Sequence, residues 1–248
     1  MALLTLALLT AVVAVVLVRR GTLQRGGAGG LISMAALTGG IVDLTDHVVD
    51  DDGATAMDPA AIEWVVSHRR SWLTPIALSV TELGSETAMT AVAVAACAWF
   101  AWRRQWPRLV LTATVSAGAG ITSAVMKILV GRERPPEADR LAVVTSQAFP
   151  SGHALGAAAV VGIVAALTVP TLRQRIARLT VAAAATLFVL AVGLSRVYLA
   201  VHWPTDVLAG WAIGLLWTAV GLSVHLSLHR LRVDHRSPVP RAGDSLRP

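Results

Sequence analysis

Four stretches, residues 109–130, 154–169, 176–194 and 207–228, are long, apolar and nearly free of charge, and a fifth, 86–102, is of the same kind. A water-soluble fold has no place for that much continuous apolar chain, whereas a bilayer core takes about 20 such residues per helix. Inside lipid every backbone N–H and C=O must find its partner within the protein, and runs of this length do so as α-helices. The fold class that follows is all-α, a polytopic transmembrane helix bundle. Composition agrees: 15% of residues are charged, against roughly 25% in soluble domains. The net charge of +6 comes almost wholly from arginine, and in a membrane chain it reads as loop asymmetry before it reads as nucleic-acid binding, so no nucleic-acid partner is expected. Cys97 is the only cysteine, which excludes an intramolecular disulfide and a thiolate metal cluster.

Two further runs precede these five. Residues 2–18 are uninterrupted and apolar, without a basic leader or a small-residue cleavage site, and read as a retained helix. Residues 27–49 form a weaker span, broken by Gly39, Gly40, Asp43 and Asp46. After Asp50, Asp51 and Asp52 the pair Asp58-Pro59 makes a good helix start. The helix it opens, running from Asp58 through Trp64 to Trp72 with His68, Arg69 and Arg70, is expected to lie in the membrane interface. Gly210 and Gly214 make a GxxxG pair, a pattern too common in Gly-rich spans to carry an argument. The expected organisation is an added N-terminal span and basic loop (1–26), a membrane core (27–228), and a polar, disordered tail (229–248) on the cytoplasmic side. Seven spans place Arg19, Arg20 and Arg25, then Arg103, Arg104 and Arg108, then Arg173, Arg175 and Arg178, then Arg230, Arg232 and Arg236 on one side. The positive-inside rule makes that side cytoplasmic.

The opposite side collects the chemistry. Lys127, the only lysine, stands near the end of one span, and Arg134 follows two helical turns on, so a continued helix would point both cations the same way. Arg132 has no such spacing and reads as a headgroup contact. Pro150, Ser151, Gly152 and His153 precede the next span; they read equally well as a helix start with an N-cap serine and as an anion site, since a helix N-terminus offers free N–H groups and a positive dipole end. Arg196, His202 and Asp206 lie between the last two spans. His202 and Asp206 are four apart, a spacing that lets a carboxylate hold an imidazole in one tautomer, although Pro204 between them rules out a regular helix interior. Three cations, a helix N-terminus and two histidines describe a site for a multiply charged oxyanion, most plausibly phosphate. No paired carboxylates suit Mg²⁺, and a metal on two His and one Asp would be opposed by the cations, so no metal and no cofactor are expected.

Lys127-x6-Arg134-Pro135, then Pro150-Ser151-Gly152-His153, then Ser195-Arg196-x5-His202-x3-Asp206 resembles, without departure, the signature of the type 2 phosphatidic acid phosphatase superfamily. The resemblance covers about residues 58–228. It implies a six-helix phosphatase core, here with one extra N-terminal span and a short interfacial helix. It further implies a metal-independent membrane phosphatase acting on a lipid phosphate such as undecaprenyl pyrophosphate, phosphatidate or phosphatidylglycerol phosphate, and the Arg-for-Lys, Ala-rich composition points to a bacterial source. By the same resemblance His202 attacks phosphorus, Asp206 orients it, and His153 serves as acid and then base. Lys127, Arg134, Ser151, Gly152 and Arg196 bind the phosphate oxygens. The signature also occurs in soluble vanadium-dependent haloperoxidases, which the apolar spans disfavour. A non-hydrolytic lipid-phosphate binding or transport protein is the alternative from another class. The expected partners are the bilayer and the lipid substrate, with the site on the extracytoplasmic face of the cytoplasmic membrane; protein partners are not legible.

Overall fold

The computed structural model describes residues 25–234, and their side chains over 33–226. The chain is all helical there. The α-helices are α1 (Arg25–Asp50), α2 (Asp58–Ser67), α3 (Leu73–Leu83), α4 (Glu86–Trp102), α5 (Trp106–Val130), α6 (Gly152–Thr168), α7 (Arg175–Tyr198) and α8 (Pro204–Asp234). The expected span at 2–18 lies outside the described residues.

Among the described residues four helical segments are long and apolar enough to cross a membrane: Trp106–Val130, Gly152–Thr171, Arg175–Tyr198 and Pro204–Leu226. A fifth results if α3 and α4, which meet at 45°, count as one broken span. The spans expected at 109–130, 154–169, 176–194 and 207–228 coincide with the first four, and the one at 86–102 with the fifth. The run at 27–49 does form a helix, α1, and packs on α8. The helix from Asp58 also stops at Ser67, short of Trp72. Just past its end Arg69 turns inward to donate from Nε to the Tyr198 carbonyl at 3.2 Å and from Nη2 to the Asp139 carbonyl at 2.8 Å. A new helix, α3, follows, which the sequence pattern did not announce. At the other end α8 continues to Asp234, past His229, where a disordered tail was expected to begin.

Local chemistry explains the boundaries. Ser85 caps α4, its hydroxyl accepting from the Ala88 N–H at 3.2 Å. Pro59, Pro107 and Pro204 sit in the first turns of α2, α5 and α8, where the missing N–H costs nothing. α5 ends at Gly131, which takes the left-handed conformation (φ 63°) that closes a helix at least cost for glycine.

α6 is the central element. Ala154, Leu155, Ala157, Ala158, Ala159 and Ile163 are all buried, and its largest contact is with α8. The Gly210/Gly214 pair makes this contact. A Cβ added at Gly210 would lie 2.7 Å from the Ser151 carbonyl oxygen, and one at Gly214 2.6 Å from that of Leu155. Backbones this close gain van der Waals contact where lipid offers no hydrophobic drive for association. Trp99, Trp102 and Trp106 are exposed at the end of the bundle that carries Arg103, Arg104 and Arg108, and Trp64 and Trp72 are exposed at the other. Two such aromatic girdles are what a bilayer with two interfaces selects.

Candidate active site

The ends of α5, α6, α7 and α8 opposite the arginine-rich turns enclose a polar centre. α6 and α8 both start there, so their unpaired N–H groups face it. The connection 131–151 folds over the same end, tied to the α7–α8 turn by the Leu141 N–H donating to the Leu199 carbonyl at 3.0 Å. Ser151 N–H donates to the Asp206 carbonyl at 3.0 Å, which joins the N-termini of α6 and α8 directly.

His202 precedes α8, and Asp206 lies in its first turn. Pro204 is the first residue of that helix, so it starts the turn rather than breaking it. His202 Nδ1 stands 3.4 Å from Asp206 Oδ2. On the other side of the ring Arg134 Nη1 lies 3.1 Å from Nε2. A guanidinium can only donate, so Nε2 is the acceptor, and the ring proton is assigned to Nδ1, facing Asp206. Burial, then the charges of Arg134, Arg196 and Lys127, hold the His202 pKa well below its ordinary value of 6.5. Its Nε2 lone pair is therefore free of a proton at neutral pH.

The sign of that shift sets a pH dependence. Unfolded, His202 binds a proton below about pH 6.5; folded, it does not. Its contribution to stability is thus full above that pH and is lost as pH falls below it. Ring-nitrogen chemical shifts should show the neutral Nδ1–H form from pH 8 down to about pH 5.5. A midpoint near the ordinary value would contradict the assignment.

The cations converge, but not as helical spacing suggested. α5 ends before Arg134, so loop 131–151, not a continued helix, carries that side chain in. Lys127 Nζ donates to the Gln147 carbonyl at 2.7 Å, and Arg134 Nε to the Ser146 carbonyl at 2.6 Å. Arg134 Nη1 also donates to the Val201 carbonyl. Burial draws the Arg134 pKa down to about 10, still protonated at neutrality. Arg196 is buried, with Nη1 donating to Thr81 Oγ1 at 2.7 Å. His153, on the first turn of α6, is within electrostatic reach of Arg196, His202, Lys127 and Arg134. Ser151 Oγ and Arg196 Nε are buried without any partner. Such orphans are rare and costly, and here both border the same polar centre.

Arg132 corrects the sequence reading most. It is no headgroup contact: it bridges two buried carboxylates, donating from Nη1 to Asp206 Oδ1 at 2.7 Å and from Nη2 to Asp58 Oδ2 at 2.8 Å. Asp58 also accepts from the Thr205 N–H at 3.2 Å and from the Thr205 hydroxyl. Asp206 Oδ2 accepts from the Trp203 N–H at 2.9 Å. With both oxygens so engaged, Asp206 has one orientation to offer His202. Asp58 is 74 residues from Arg132, and the only local trace of this role was its place as a helix-start residue.

A model of the PAP2 superfamily matches residues 108–230. Phosphatidylglycerophosphatase B of Bacillus subtilis (strain 168) is 30% identical over 171 residues, which cover 68% of this chain and 83% of that one. The chain belongs to the PAP2 superfamily. Among solved structures, the transmembrane PAP2-type phosphatidylglycerolphosphate phosphatase from Bacillus subtilis superimposes with a TM-score of 0.72 at 29% identity, covering 80% of this chain and 98% of that one. LpxE of Aquifex aeolicus matches with a TM-score of 0.55 at 18% identity, covering 67% of this chain and 94% of that one, a likeness of fold. This PAP2 member is thus an integral membrane protein related to lipid phosphatases, with all three signature stretches gathered at one end of its bundle.

Proposed function

We propose that this PAP2 protein is a metal-independent lipid phosphatase that hydrolyses a phosphate head group through a phosphohistidine. The observation that carries the reading is the pair of orphaned donors, Ser151 Oγ and Arg196 Nε, beside the unprotonated Nε2 of His202. A phosphate with three charged oxygens supplies what those donors lack, and once Arg134 turns from Nε2 to a phosphate oxygen the phosphorus would face that lone pair.

In the proposed cycle Lys127, Arg134, Arg196, Ser151 and the Gly152 N–H hold the phosphate oxygens. His202 Nε2 forms a bond to phosphorus as the ester or anhydride oxygen leaves, and that oxygen takes a proton from His153. Asp206 stabilises the positive charge that develops on the His202 ring. Neutral His153 then takes a proton from water, whose oxygen displaces His202 and releases inorganic phosphate. Phosphoryl transfer asks a protein mainly for position and charge compensation, and a paired histidine nucleophile with a second histidine supplies both near neutral pH. The phosphatidylglycerolphosphate named for both Bacillus subtilis relatives is one candidate substrate, with phosphatidate and undecaprenyl pyrophosphate beside it. The arginine clusters at the opposite end of the bundle support an extracytoplasmic site.

Purified protein in detergent with EDTA should release phosphate from at least one of these three lipids. Binding of all three without release would instead favour a non-hydrolytic lipid-phosphate carrier, and release that needs an added divalent ion would refute metal independence.

A further inference from the structure

A cavity of about 810 Å³ lies between α4, α5 and α6, running from Glu86, Lys127 and Gly152 at the site to Cys97, Ala101 and Leu109. Along α5, from Lys127 to Leu109, that path is about 27 Å at 1.5 Å per residue. Val94, Ala117 and Gly120 on its walls are exposed, so it opens sideways toward lipid. Its lining is mostly alanine, glycine, valine and methionine, yet two hydroxyls, Ser123 Oγ and Ser116 Oγ, are buried in it without a partner.

A serine or threonine inside a helix ordinarily returns its hydroxyl to the carbonyl one turn back, as Thr112, Thr168 and Thr186 do here. Ser123, only 7% exposed, does not. It lies one turn, about 6 Å, from Lys127 toward the membrane interior. It also borders the phosphate cradle: a Cβ built on Gly152 would stand 3.3 Å from Ser123 Oγ and 2.6 Å from Glu86 Oε1. The Glu86 carboxylate is within electrostatic reach of Lys127 and Arg196.

We propose that Ser123 and Glu86 form a subsite that reads the group joining phosphate to hydrocarbon. Ser123 donates to an ester carbonyl of an acylated glycerol phosphate, and Glu86 excludes a second phosphate from the leaving-group position. The proposal rests on the phosphatase reading above. Below its phosphate, an acylglycerol phosphate next presents ester carbonyls, which accept hydrogen bonds and donate none. A polyprenyl chain presents only hydrocarbon there and leaves the buried hydroxyl unpaired, at a cost. When a monoester is cleaved the departing group is an alcohol, neutral once protonated. When a diphosphate is cleaved the departing group is itself a phosphate, and it would leave past the Glu86 carboxylate against like-charge repulsion.

The test compares three substrates of the purified full chain: a diacylglycerol phosphate, its dialkyl-ether analogue of equal chain length, and a polyprenyl diphosphate. The wild type should favour ester over ether by roughly 3- to 10-fold in kcat/KM, the worth of one hydrogen bond. Ser123→Ala should bring that ratio to about 1, while Ser123→Thr, which keeps a hydroxyl, should preserve it. Glu86→Gln should raise the diphosphate rate relative to the monoester rate. A wild-type ester-to-ether ratio near 1, or a Ser123→Ala loss equal on both, would overturn the subsite and leave the phosphatase standing. An unmoved diphosphate ratio in Glu86→Gln would remove Glu86 from it. Release from none of the three would overturn the subsite, and no release from phosphatidylglycerolphosphate either would overturn the phosphatase with it.

Discussion

His202→Ala is expected to lower phosphate release by about 10³-fold or more, with the fold and lipid binding retained. The magnitude follows from losing the covalent step: removing a nucleophile forfeits the whole two-step route. His202 is buried against Arg134 and Asp206, so alanine leaves a small polar cavity that water can fill. That is why the fold should survive. The check is single-turnover phosphate release beside binding of the same lipid. Binding with release within tenfold of the wild type would assign the nucleophile elsewhere.

Arg132→Ala is expected to cost about 3–5 kcal/mol of stability, the range for stranding one side of a buried ion pair. Solvent screens this pair little, since Arg132 is 11% exposed, Asp58 2% and Asp206 not at all. Two carboxylates lose their common partner at once, and Asp58 alone ties α2 to Thr205 at the start of α8. Thermal unfolding in detergent measures the effect. Arg132→Lys should recover only part of it, since an ammonium cannot span two carboxylates as a fork does. Activity should fall with stability, because Asp206 loses the contact that fixes the carboxylate beside His202. An Arg132→Ala protein that unfolds within a degree of the wild type would return Arg132 to the surface role its sequence suggested.

How far the sequence reached differs from element to element. Residues 109–130, 154–169, 176–194 and 207–228 were legible because their length and lack of charge leave lipid-crossing helices as the physical solution, and α5 to α8 occupy them. α3 was not legible: eleven residues with Pro75 and Glu82 in them resemble a loop until α4 continues them past a bend. Lys127 and Arg134 were expected together for a reason that fails, since Gly131 ends the helix between them, but the loop brings them together all the same. Asp58 gave no sign of its role beyond its place at a helix start. A carboxylate that caps a helix start looks the same in sequence whether solvent or a distant arginine answers it.

The sequence by itself determined that the chain is helical, lives in a bilayer and carries a phosphate-handling signature. Each of these depends on residue type and short-range spacing, which a linear reading preserves. The tertiary structure alone decided that Arg132 clamps Asp206 to Asp58, that Arg134 rather than solvent faces Nε2 of His202, and that Ser123 stands unpartnered beside the cradle. These depend on which helix ends meet. Partners such as Arg132 and Asp58 are 74 residues apart in the chain, and only the packing of α6 and α8 through Gly210 and Gly214 draws the helix ends around them into one site.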